Sequence, residues 1–140
     1  MSEFNVLLVD DEPEFLETLV KRLRKRKLNA TGARSGEEAL EVMRTEPVDV
    51  VVLDVKMPGM DGIETLREIK KIRPLVEVIM LTGHANMEVA ITGMELGAFD
   101  YLMKPMDIDE LLYKLQDAFK KKSLQEQKID VVKVEMGVKA

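Results

Sequence analysis

Two rhythms of apolar residues alternate along the chain. Short apolar runs occur at Asn5-Val6-Leu7-Leu8-Val9, at Val48-Asp49-Val50-Val51-Val52-Leu53-Asp54 and at Val76-Glu77-Val78-Ile79-Met80-Leu81, with a weaker one from Leu28 to Thr31 and a short one from Phe99 to Met103. Near-continuous runs of this kind fit strands buried on both faces, as central strands of a parallel sheet are. Between the runs, apolar residues recur every three or four positions, as along one face of a helix. Phe15, Leu16, Leu19, Val20 and Leu23 mark a first helix that Pro13 opens and that reaches about residue 26. Ser35 and Glu38 form a capping box for a second, running to about Thr45. Asp61 with Glu64 caps a third, striped by Ile63, Leu66, Ile69 and Ile72 and stopped by Pro74. A fourth spans about Asn86 to Leu96, weakened by Gly93 and closed by Gly97. Asp107 or Asp109 caps a last helix that turns Leu111, Leu112, Leu115, Ala118 and Phe119 inward. Strand and helix alternate five times, which predicts an α/β fold: a doubly wound parallel sheet with helices on both faces.

Composition narrows the classes of function. A chain of 140 residues holds one domain around one core, and an apolar share of 46% is ordinary for such a domain. No apolar run of membrane-spanning length and no charged-then-apolar leader occurs, so the expected location is the cytoplasm, with no membrane partner. The absence of cysteine removes disulfides, thiolate metal sites and cysteine nucleophiles. A net charge of −5 argues against direct nucleic-acid binding. The ten methionines suit gaps in the core. Lys21, Arg22, Arg24, Lys25, Arg26 and Lys27 end the first helix, where cations are favoured by its dipole; a docking patch is the other reading.

Chemistry-bearing residues stand at the strand ends. Asp10 and Asp11 follow the first strand, Asp54 ends the third, Thr82 the fourth and Lys104 the fifth. A parallel arrangement gathers them at the carboxyl edge of the sheet, where open α/β folds place their ligands. Three converging carboxylates repel one another, so a divalent cation is their natural companion. With neither thiolate nor histidine among the donors, Mg2+ fits better than zinc. Asp54 is then a candidate phospho-acceptor, since a carboxylate can form an acyl phosphate. Lys104 would hold phosphoryl oxygens and the Thr82 hydroxyl would add a hydrogen bond. Helix capping accounts equally well for Asp10 to Glu12 taken alone, and Asp61 reads as a cap.

The stretches Val9-Asp10-Asp11-Glu12-Pro13, Leu53-Asp54-Val55-Lys56-Met57-Pro58-Gly59-Met60-Asp61-Gly62, Thr82-Gly83-His84 and Gly97-Ala98-Phe99-Asp100-Tyr101-Leu102-Met103-Lys104-Pro105 resemble, together, the receiver domain of two-component response regulators. The resemblance implies a flavodoxin-like five-stranded parallel sheet in the order 2-1-3-4-5. It implies that Asp54 accepts a phosphoryl group from a histidine kinase or phosphotransfer protein. It places Mg2+ on Asp11, Asp54 and the backbone carbonyl of Lys56, with Asp10 acting largely through water, and gives Lys104 a usually cis bond to Pro105. Thr82 and Tyr101 fall on the family's switch pair, which would change the face of the fourth helix, fifth strand and fifth helix toward a downstream protein or output domain. Such a domain is not an enzyme acting on outside substrates; it catalyses only its own phosphorylation and dephosphorylation, as a monomer or an activation-dependent homodimer.

Three positions depart from the common pattern. Lys56, two residues past Asp54, leaves the lifetime of the acyl phosphate open; Gly83 loosens the loop after Thr82; and His84 reads as an exposed loop residue or as a tuner of attacking water. Residues 1-122 read as the receiver and 123-140 as a helix extension or mobile tail, the tail being preferred, with Val131 to Met136 alternating as a strand would. The competing functions are a receiver-like scaffold that works without phosphorylation and a magnesium-dependent aspartyl phosphatase. The second lacks a general acid, because Lys56 occupies the position of the second aspartate in such enzymes.

Overall fold

The computed structural model describes residues 4–55, 61–83 and 87–137. Five strands and five helices alternate: β1 (Asn5–Val9), α1 (Pro13–Lys25), β2 (Asn29–Ala33), α2 (Gly36–Thr45), β3 (Val50–Asp54), α3 (Gly62–Ile72), β4 (Glu77–Thr82), α4 (Met87–Glu95), β5 (Asp100–Met103) and α5 (Ile108–Glu135). All strand pairings are parallel, in the order β2-β1-β3-β4-β5. The doubly wound five-stranded sheet expected from the sequence is the one found.

The valine-rich runs show why both faces must be covered. Successive side chains of a strand point to opposite faces. Val6, Leu8, Val50, Val52, Ile79 and Leu81 join Leu16, Leu19 and Leu23 of α1 and Leu111 and Leu115 of α5 in one core. Leu7, Val9, Val51, Leu53, Val78 and Met80 join Ala39, Leu40 and Met43 of α2 and Leu66 and Ile69 of α3 in the other. β3 lies at the centre of the sheet with all five residues buried.

Local signals placed most boundaries. Ser35 Oγ accepts the Glu38 N–H at 3.1 Å, Asp61 Oδ1 accepts that of Glu64 at 2.9 Å, and Asp107, not Asp109, caps α5 by accepting the Asp109 N–H at 2.8 Å. The second strand sits later than the Leu28 to Thr31 run, because its register with β1 pairs Asn5 with Asn29 and Val9 with Ala33. Ile72, expected on the buried stripe of α3, is 40% exposed in the last turn. The C-terminal segment, for which a helix extension and a mobile tail were both expected, is helical: α5 continues as one helix to Glu135, with no strand over Val131 to Glu135. An existing helix adds one hydrogen bond per residue without a new nucleus, and no glycine or proline interrupts it before Gly137.

Ion pairs tie α5 to the amino edge of the sheet as it leaves the body. Lys122 Nζ donates to Asp49 Oδ1 at 2.9 Å and to Glu126 at 3.2 Å. The buried Glu77 meets Lys70 of α3 at 3.2 Å through one oxygen. Its other oxygen lies 3.0 Å from Lys121 of α5, a charge contact without hydrogen-bond alignment. No helix among the described residues is long and apolar enough to cross a membrane.

Candidate functional site at the carboxyl edge of the sheet

β1 and β3 pair with Val9 opposite Leu53, so the residues that follow, Asp10 and Asp54, emerge side by side. Both are buried, at 2% and 7% exposure, whereas Asp11 turns outward. One carboxylate oxygen from each of Asp10, Asp11 and Asp54 lies within 4.8 Å of the others. Asp10 is also held locally: Oδ1 accepts the Glu12 N–H at 2.9 Å, which ties the turn ahead of α1, whose N-cap residue Glu12 makes no side-chain cap bond, so helix capping does not account for Asp10.

The countercharge arrives from β5. Lys104 follows Met103, its N–H donates to the Thr82 carbonyl at 2.8 Å, and its bond to Pro105 is cis. Its Nζ donates to Asp10 Oδ2 at 3.0 Å and stands 3.9 Å from Asp54 Oδ2. The ammonium also lies 4.5 Å from the centroid of the Phe15 ring in α1. Burial works against the charged form of Lys104. That effect is outweighed by the hydrogen bond to Asp10 and the charges of Asp54, Asp10 and Glu12, which together hold its pKa above the ordinary lysine value. Lys104 is therefore a fixed positive charge at any physiological pH.

Thr82 ends β4 one residue beyond Leu81, the partner of Asp54, and is fully buried with its hydroxyl donating to the Gly83 carbonyl at 3.1 Å. Tyr101 pairs with Met80 in β5 and is half-buried against the α2–α3 core. The structure thus brings Asp10, Asp11, Asp54 and Lys104 into one cluster, with Thr82 and Tyr101 on the two strands beside it. Lys56, expected to lend a carbonyl, and His84 lie outside the described residues.

Two neighbours of the site were not given roles by the sequence pattern. Phe15 counted only as part of an apolar helix face. Gly62, first residue of α3, has no room for a side chain: a Cβ there would stand 2.6 Å from Val55 Cα and 3.0 Å from the Asp54 carbonyl oxygen. A glycine where a better helix former would otherwise serve was the available signal.

A doubly wound parallel sheet carrying three acids, a threonine and a lysine at its carboxyl edge defines a class of phospho-signalling domain. The sequence model of the response regulator receiver domain matches residues 6–116, and the chain belongs to that family. It is 41% identical over 103 residues to the DNA-binding transcriptional regulator NtrC of Klebsiella pneumoniae, covering 74% of this chain and 22% of that protein. Against the transcriptional regulatory protein ZraR of Escherichia coli (strain K12), identity is 40% over 114 residues, 81% of this chain and 26% of that one. The chain therefore spans about a quarter of the length of these curated relatives. Among solved structures, it matches a response regulator receiver domain protein from Clostridium thermocellum with a TM-score of 0.83 and 37% identity, covering 87% of this chain and 98% of that one. NtrX from Brucella abortus, in complex with ADP, matches with a TM-score of 0.88 and 29% identity over 93% of this chain and 30% of that one. As a receiver domain the chain is a two-component signal-transduction domain, similar to the receiver parts of NtrC and NtrX.

Proposed function

We propose that the chain accepts a phosphoryl group on Asp54 from the phosphohistidine of a histidine kinase or phosphotransfer protein, with Mg2+ bound beside it, and in response alters the face formed by α4, β5 and α5 to control a downstream protein or output domain. The observation that carries this reading is Lys104, an ammonium placed 3.0 Å from Asp10 and 3.9 Å from Asp54 at the end of the central strand. In the transfer, an Asp54 carboxylate oxygen bonds to phosphorus as the N–P bond to the imidazole breaks. The bonding pair stays on the imidazole nitrogen, which takes up a proton. Phosphoryl transfer needs positioning and charge neutralisation more than covalent help. β3 supplies the first by burying Asp54 at the end of a rigid strand, and Lys104 supplies part of the second.

The acids fit a hard divalent cation: Asp10, Asp11 and Asp54 each offer a carboxylate oxygen within 4.8 Å of the others, an all-oxygen donor set. Bound there, Mg2+ would offset the repulsion among the carboxylates and the charge of the phosphoryl oxygens. The Lys56 carbonyl is the further ligand in this reading. The Thr82 hydroxyl leaves the Gly83 carbonyl for a phosphoryl oxygen, and the Tyr101 ring follows into the space beside it. A new dianion thereby biases a two-state equilibrium. In this reading residues 1-122 are the receiver and 123-140 an extension of it.

Beryllofluoride, a mimic of the phosphoryl group, tests the reading when added with Mg2+ to isotope-labelled protein. Amide resonances of Thr82, Tyr101, α4 and the exposed side of α5 should shift, and the Asp54→Asn variant should not respond. Shifts confined to the acids would remove the switch. Failure to bind at all would favour a scaffold that works without phosphorylation.

A further inference from the structure

Phe15 lies in the first turn of α1, and core packing explains only part of its placement. Its side chain packs against the cluster beneath α1 and α5, yet the ring also carries Lys104 Nζ at 4.5 Å from its centroid. An aromatic face attracts a cation through its quadrupole, and the attraction grows as the cation loses water. Lys104 meets that condition, with its side chain only 25% exposed. The ammonium sits on a flexible four-carbon stem, so one hydrogen bond to Asp10 does not fix where it stands. A ring face adds a contact that does not depend on Asp10.

Resting on the phosphoryl-transfer reading above, we propose that Phe15 is a positioning residue: its ring holds the Lys104 ammonium within reach of Asp54 while the lysine's hydrogen bond passes from Asp10 to the incoming phosphoryl oxygens. Phe15 touches neither the phosphoryl group nor the acceptor in this account and acts through Lys104 alone.

The test follows intact mass over time with Mg2+ and acetyl phosphate, in which Asp54 bonds to phosphorus and acetate leaves with the bonding pair. The wild type is compared with Phe15→Leu, which keeps an apolar side chain, and Phe15→Tyr, which keeps the ring. If the leucine variant does not fold, Phe15→Met takes its place. Loss of the ring should slow phosphorylation about 3- to 30-fold, the range a cation–π contact spans between exposed and desolvated sites. The tyrosine variant should remain close to wild type, and Mg2+ affinity should be the same in all three. A ringless variant as fast as wild type overturns the proposal, as does a tyrosine variant as slow as the ringless one, or a fall in Mg2+ affinity that parallels the rate. A wild type that neither gains mass nor binds beryllofluoride with Mg2+ removes the underlying reading and the proposal with it, an outcome distinct from the other three.

Discussion

Asp54, Asp10 and Lys104 were legible because each stands where an apolar run stops, and a buried strand seldom ends in a charge without a reason. Gly62 and Phe15 were not, because periodicity names the face on which a residue lies and is silent about what crosses it. Gly62 shows the difference. Its position opposite the backbone of Asp54 and Val55 lets α3 start directly beside the acceptor. Gly62→Ala should therefore destabilise the domain by about 1–3 kcal/mol, the usual cost of overpacking, and slow phosphorylation of Asp54 by displacing it. Equilibrium denaturation and the acetyl phosphate rate check both; an unchanged or stabilised variant would show that the β3–α3 junction yields without strain. Thr82 and Tyr101 owe their pairing as a switch to the resemblance alone, since nothing in the spacing of two strand residues announces a coupled motion.

Helices and strands were read well where caps and punctuation agreed with the apolar rhythm, as at Ser35, Asp61 and Pro74. At the end of α5 the sequence left a helix extension and a mobile tail both open, because Val131-Val132-Lys133-Val134 alternates locally like a strand while belonging to a helix already formed. Lys122 gives this long helix its anchorage. Burial lowers the pKa of Lys122, but hydrogen bonds and charge from Asp49 and Glu126 more than reverse the effect and raise it above 10.5. A lysine whose folded pKa exceeds its unfolded one contributes stability in full below about pH 10.5 and loses it as pH rises through the raised value. Lys122→Ala should thus cost about 1–3 kcal/mol at neutral pH, from the lost charged hydrogen bonds, and the difference from wild type should shrink in strong alkali. It should also speed amide exchange along residues 123–135. Unchanged exchange there would mean that the helix extension holds without this anchor.

As one molecule, the domain separates two charged regions by the length of the sheet: acids and Lys104 at the carboxyl edge, and Asp49, Glu77, Lys121 and Lys122 at the amino edge where α5 departs. The alternation of rhythms was enough to predict a parallel sheet covered on both faces. It did not set the strand order, which the resemblance supplied, because apolar runs of similar length can be permuted without changing any local signal. What joins the whole to its function is the central strand, whose burial fixes Asp54 and whose end meets Lys104. The most direct measurement is the mass of the intact protein after incubation with Mg2+ and acetyl phosphate, beside Asp54→Asn. One phosphate-sized gain that requires Mg2+, is lost in base and is absent from the folded variant is the expected result. A gain of the same size on Asp54→Asn, or one that survives base, would place the phosphoryl group elsewhere and contradict the assignment of Asp54.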